Sequence, residues 1–180
     1  MAQTFLEQLV AEWYEYQGYF VRRNINVGRR AAGGYECELD LIAFDPKSRK
    51  GVHIEPSTDA QSWAQRTERY KKKFGAGQRY IPTLFEGLDI LGPIEQIALF
   101  VFASNKVKQT ISGGRVMLVP ELLQQIFARL KGQTIAKAAV PEQFPLIRTL
   151  QMVSDYRDIL FQENSTFVAT NFSSEATSSG

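Results

Sequence analysis

Two carboxylates stand out because each lies among aliphatic residues. Asp40 sits inside "ECELDLIAFDP", and Glu55, fifteen residues later, ends "GVHIE" just before Pro56 and Ser57, which are expected to stop that strand at once. A carboxylate in or beside a buried strand is costly unless a charged group meets it. The turn residues of "DPKSRKG" join the two segments, so they read as an antiparallel hairpin that brings Asp40 and Glu55 to the same region of adjacent strands. Close carboxylates repel, and a divalent cation with oxygen ligands relieves them. Mg²⁺ accepts two carboxylates, water and a phosphate oxygen, so these residue types point to metal-assisted phosphoryl chemistry. Glu7 is a third candidate ligand, because it flanks the apolar stripe of the first helical segment. Glu12 and Glu15 are expected further towards solvent.

The elements that must position these acids can be read from periodicity. "TFLEQLVAEWYEYQGY" is predicted as an amphipathic helix with Leu6, Leu9, Val10, Trp13 and Tyr16 on one stripe, closed by Gly18. "YFVRRNINV", "YECELDLIAF" and "VHIE" read as three strands. In the second, Tyr35, Cys37 and Leu39 alternate with Glu36, Glu38 and Asp40, and from Leu41 to Phe44 both faces are apolar. Asp59 is the expected N-cap of a helix running to about Phe74 and ended by Gly75. Residues 94–103 form an apolar strand, "GGRVMLVP" another, and Pro120 opens a helix. A last amphipathic helix spans about 146–161. The polar tail 163–180 is expected to be disordered. This order predicts an α/β fold: a mixed central sheet flanked by helices, in one domain over residues 1–162, with a core at about 5–105 and a helical part at about 120–162.

Net charge is only +2, yet residues 21–80 carry 13 Lys and Arg against 7 Asp and Glu. A basic stretch around two isolated acids suits an anionic partner such as nucleic acid, and it equally suits a plain solvated surface. The single cysteine, Cys37, excludes an intramolecular disulfide and a multi-cysteine zinc site, and the single histidine, His53, leaves little for a histidine-based metal centre. No apolar run approaches 18 residues and no signal-peptide layout is visible, so the expected setting is cytoplasmic, away from membranes.

The early helix with Glu7, then "GYFVRRN", "ECELDLIAFDP" and "VHIE", resembles the catalytic core of the PD-(D/E)XK nuclease superfamily, the restriction-endonuclease-like fold, over roughly residues 5–105. The resemblance implies a core of helix, three-strand meander, helix and strand, and a nuclease that hydrolyses phosphodiester bonds in DNA with Mg²⁺ or Mn²⁺. Asp40 and Glu55 would be metal ligands, with Glu7 as the helical acid. One departure matters. Where the superfamily places a lysine two residues after the second acid, this chain has Ser57, which is uncharged and cannot replace it electrostatically.

Some members of the superfamily take that cation from the following helix, where Arg66, Arg69 and Lys73 share a flank beside the core stripe. Counted from Asp59 at about 1.5 Å per residue, Arg66 lies about 10 Å along the axis and Lys73 about 21 Å. Arg66 is therefore the expected surrogate, with Lys73 too far away. Arg29, Arg30, Arg66, Arg69 and Lys73 are candidate contacts to a nucleic-acid backbone. His53 shares Glu55's face and is a base, a ligand or, more often for a lone strand histidine, a structural group. Trp13, Trp63 and Tyr70 read as packing. The alternative function is a catalytically degenerate nuclease fold that binds nucleic acid or a protein without cleaving. A homodimer is compatible with the sequence but not required by it.

Overall fold

The computed structural model describes residues 4–102 and 108–161. The first helix, α1 (Phe5–Tyr16), opens with a capping box: the Thr4 hydroxyl accepts from the Glu7 N–H, and the Glu7 carboxylate accepts from the Thr4 N–H. Gly18, at φ +92°, takes the left-handed conformation that turns the chain out of the helix, as its position in the sequence predicts.

Three strands follow as an antiparallel meander: β1 (Phe20–Arg29), β2 (Tyr35–Asp45) and β3 (Lys50–Ser57). A long helix, α2 (Trp63–Leu84), crosses over to β4 (Glu95–Phe100), which pairs parallel with β3. The two-residue edge strand β5 (Thr110–Ile111) and β6 (Gly114–Leu118) complete a six-stranded mixed sheet of order β1-β2-β3-β4-β6-β5. The described residues close with α3 (Val119–Leu130), α4 (Ile135–Ala138), α5 (Pro145–Asp155) and α6 (Arg157–Leu160). The molecule is thus an α/β protein with a mixed sheet flanked by helices, as its pattern of elements implies. The polar tail lies outside the described residues.

Strand alternation decides which helix each face meets. Leu41, Ala43, Val52 and Ile54 pack with Leu6, Val10 and Trp13 of α1 and with the apolar stripes of α3 and α5. On the other face, Ile42 and Phe44 meet Ala76 and Ile81 of α2, while Ala98 and Phe100 of β4 meet Tyr70 and Phe74. Burial of aliphatic and aromatic side chains at roughly 1.5–3 kcal/mol each makes both faces strongly favourable to cover.

Three expectations about β3 and α2 are corrected. Strand β3 does not stop before Pro56: it runs through Ser57, with Pro56 opposite Leu99 and Ser57 opposite Phe100. Pairing with β2 ends at Ile54↔Leu41, so beyond it β3 has a neighbour on one side only, where a missing N–H is tolerated. Helix α2 is capped by Ser62, in a box with Gln65, rather than by Asp59, and it continues past Phe74 to Leu84. Gly75 does not end it. An interior glycine costs only about 1 kcal/mol relative to alanine, less than the packing of Ala76 and Ile81 beyond it returns.

Candidate functional site

The β2–β3 hairpin brings the two acids together as alternation predicts. The pairing Leu41↔Ile54 puts Asp40 and Glu55 next in register, and the Asp40 N–H donates to Glu55 Oε1 at 3.1 Å. Lys73, from α2, reaches between them: its Nζ lies 2.5 Å from Asp40 Oδ1 and 2.5 Å from Glu55 Oε2. Burial, then the neighbouring Glu55 charge, pushes the Asp40 pKa up to about 7, and Lys73 offsets only part of this. Burial works against the Lys73 ammonium, but Glu55 and Asp40 outweigh it and hold its pKa above the ordinary lysine value.

This geometry overturns the expectation that Arg66 supplies the missing cation and that Lys73 is too distant. Distance along α2 from Asp59 is not distance from the acids, because α2 doubles back over β3. The Tyr70 hydroxyl donates to the Glu55 carbonyl at 3.0 Å, and the Phe74 ring meets His53 edge-on. Ten residues of helix rise about 15 Å, so the returning helix delivers Lys73 over Glu55. Arg66 stays at the corner. Its guanidinium donates to the carbonyls of Asp59 (2.7 Å) and Phe102 (3.1 Å) and stacks on Phe100, while its buried Nε has no hydrogen-bond partner. It fastens the start of α2 to the end of β4 and does not approach the acids.

Ser57 does not face the acids' shared cation either. Its hydroxyl donates to Asp59 Oδ2 at 2.6 Å, and the same carboxylate pairs with Arg69. Burial would raise the Asp59 pKa, but Ser57 and Arg69 outweigh it and hold it low. Asp59 therefore acts as a clamp on the corner instead of a helix cap. Glu7, the expected third ligand, is not brought to the pair. It caps α1, which covers the opposite sheet face. Glu12 is not solvent-facing as expected: it is 2% exposed, and its Oε2 accepts from the N–H groups of Leu146 (2.8 Å) and Ile147 (3.2 Å) at the start of α5.

His53 is fully buried and both ring nitrogens are engaged. The amide of Gln96 fixes its tautomer. Gln96 Oε1 accepts from Gln78, so its Nε2 is the donor, given to the Phe74 carbonyl at 2.9 Å and to His53 Nδ1 at 3.3 Å. His53 Nδ1 is then an acceptor, and Nε2–H donates to Glu55 Oε1 at 2.8 Å. Burial, then the Lys73 charge, lowers the His53 pKa to about 3, so the contact with Glu55 is a hydrogen bond from a neutral ring. Of the roles considered for His53, the structural one fits, turned directly onto a candidate ligand. His53 and Gln96 are opposite in the β3–β4 register, and Gly77 of α2 passes so close that a side chain there would strike the ring.

A cleft of about 420 Å³ opens over Asp40 and Lys73, bordered by Arg69 and Lys72 from α2 and by Tyr35 and Glu38 from β2. Arg69 and Lys73, two of the candidate backbone contacts, line one cleft. Arg66 is not among the residues lining it, and Arg29 and Arg30 lie at the exposed β1–β2 turn. Gln96, which orients His53, has no counterpart among the residues expected from the sequence. The periodicity that put Lys73 beside the Tyr70–Phe74 stripe held the signal for its role, once the direction of the helix was known.

Among the described residues, no three His, Cys, Asp or Glu side chains converge as a metal site. Asp40 and Glu55 converge as a pair. Their oxygens already bridge one cation, the Lys73 ammonium, and an oxygen-only pair of carboxylates fits Mg²⁺ or Mn²⁺, which keep waters and take substrate oxygens for the remaining positions. Among the described residues no helix is long and apolar enough to cross a membrane.

No family model matches the chain, and no curated protein matches it. A solved structure described as "Crystal Structure of Protein of Unknown Function AF1548" is similar over 82% of this chain and 78% of its own length, at 14% identity and a TM-score of 0.46. So distant a likeness bears on neither the site nor the activity.

Proposed function

We propose that this protein is a metal-dependent nuclease of the PD-(D/E)XK type, which hydrolyses phosphodiester bonds in DNA. The observation that carries the reading is the convergence of Asp40, Glu55 and Lys73, with Asp40 and Lys73 lining a cleft that Arg69 and Lys72 also line. Asp40 and Glu55 would hold Mg²⁺ or Mn²⁺, which when bound lowers the pKa of a water and polarises the phosphate. Lys73 takes the part of the lysine that Ser57 lacks. Its raised pKa keeps it an ammonium at neutral pH, suited to stabilising phosphate charge and unsuited to abstracting a proton. Arg69 and Lys72 would meet backbone phosphates. His53 and the Asp40 N–H hold Glu55 Oε1, leaving Oε2 as the oxygen turned to a cation.

The test is cleavage of supercoiled plasmid, single-stranded circles and a branched duplex by wild type, Asp40→Asn, Glu55→Gln and Lys73→Met, with Mg²⁺, Mn²⁺ or EDTA. The expected result is cutting that needs metal and falls at least 100-fold in each variant, a range typical of lost electrostatic groups. A second reading has its own support: Lys73 fills the space between the acids. On that reading the domain binds nucleic acid or a protein partner without reacting. No cutting of any substrate, with DNA still retarded on a gel by the Asp40→Asn variant, is its signature.

A further inference from the structure

Lys73 occupies more than a neighbouring position. Its ammonium lies within 2.5 Å of Asp40 Oδ1 and of Glu55 Oε2 at once. The other Glu55 oxygen, Oε1, is committed to His53 Nε2–H and the Asp40 N–H, so Glu55 has a single oxygen to give to a cation, and Lys73 holds it. A divalent ion held by both acids would need those same two oxygens. Two cations cannot share the space between them. The ammonium is also the charge that keeps this buried pair from repelling itself while no metal is bound, since Glu55 is 2% exposed. A way out exists, because Lys73 lines the open cleft together with Asp40, Arg69 and Lys72.

We infer that Lys73 is a built-in counter-ion that a divalent cation must displace, so that loading the site frees the ammonium into the cleft, towards an anionic substrate. This inference rests on the nuclease reading. It differs from that reading in predicting that removing a candidate catalytic cation tightens metal binding.

The experiment uses the full chain without nucleic acid. Mn²⁺ binding is measured by electron paramagnetic resonance of the free ion, and melting temperatures are taken in EDTA and in Mn²⁺, for wild type, Lys73→Met and the milder Lys73→Gln. The expected result is that both variants bind Mn²⁺ at least about tenfold tighter than wild type, the factor for one opposing charge removed from a partly buried site. They should also melt lower than wild type in EDTA and show a larger rise on adding Mn²⁺. A measurement on wild type covers the case in which neither variant folds. With ¹⁵N-labelled lysine, one Nζ signal, absent from Lys73→Arg, should be protected from exchange in EDTA and lose that protection when Mg²⁺ is added. Wild-type binding of Mn²⁺ with equal or weaker binding by both variants, or an Nζ that stays protected at saturating Mg²⁺, overturns the inference and leaves the nuclease reading intact. Absence of Mn²⁺ binding by wild type and both variants overturns both.

Discussion

Asp40 and His53 are perturbed in opposite directions, and their effects on stability should nearly cancel. Asp40 titrates at about 7 in the fold against 3.8 when unfolded, so its contribution is fully present below pH 3.8 and is lost as pH rises through 7. His53 titrates at about 3 against 6.5, so its contribution is present above pH 6.5 and is lost as pH falls towards 3. Between about pH 4 and 6.5 the two slopes oppose, each at most about 1.4 kcal/mol per pH unit. Urea unfolding in EDTA at pH 4.5 and 6.5 should separate them. Relative to wild type, Asp40→Asn should lose roughly 2 kcal/mol on acidification across that interval, and His53→Gln should gain a similar amount. Parallel profiles for all three proteins would mean that neither group is perturbed as its burial implies.

At the scale of elements, the site depends on α2 running close over β3, and Gly77 is what permits the approach. A methyl group there would meet the His53 ring and lie 3.1 Å from Gln96 Nε2. Gly77→Ala should therefore destabilise the protein by about 1–3 kcal/mol through overpacking, although alanine favours a helix by about 1 kcal/mol. Chemical denaturation would measure this, and an unchanged or higher stability would show that α2 has room to move away. The same helix marks where the sequence stopped being legible. Period-two alternation and a seven-residue turn specify the hairpin, so Asp40 and Glu55 could be paired from residue order alone. The direction of α2 follows from the parallel β3–α2–β4 crossover, which is a property of the sheet and not of residues 59–84. Without it Arg66 looks near and Lys73 far. Pro56 and Gly75 misled for a related reason: each is a local stop signal overridden by a neighbour, β4 in one case and the core packed on Ala76 and Ile81 in the other.

Across the whole molecule, the first helix and the last helical layer are fastened by Glu12, whose carboxylate serves two N–H groups of α5 more than a hundred residues away. Glu12→Ala strips two donors of their acceptor and should cost about 2–4 kcal/mol, while Glu12→Gln, which keeps an acceptor, should cost about 1. Thermal unfolding would read both, and equal costs would assign the effect to packing instead of hydrogen bonding. Helical periodicity put Glu12 on the polar side of α1 because the surface that receives it is assembled only by α5. The candidate site is similarly spread. Its acids and cation sit on β2, β3 and α2, and the glutamine that orients the histidine sits on β4. A scan for relatives keyed to an acid and a lysine within one tripeptide would therefore pass over chains built this way. A better signature has an aspartate, then His-x-Glu with its glutamate fifteen positions on, a lysine eighteen beyond that, and a glycine four after the lysine, where an imidazole needs the room.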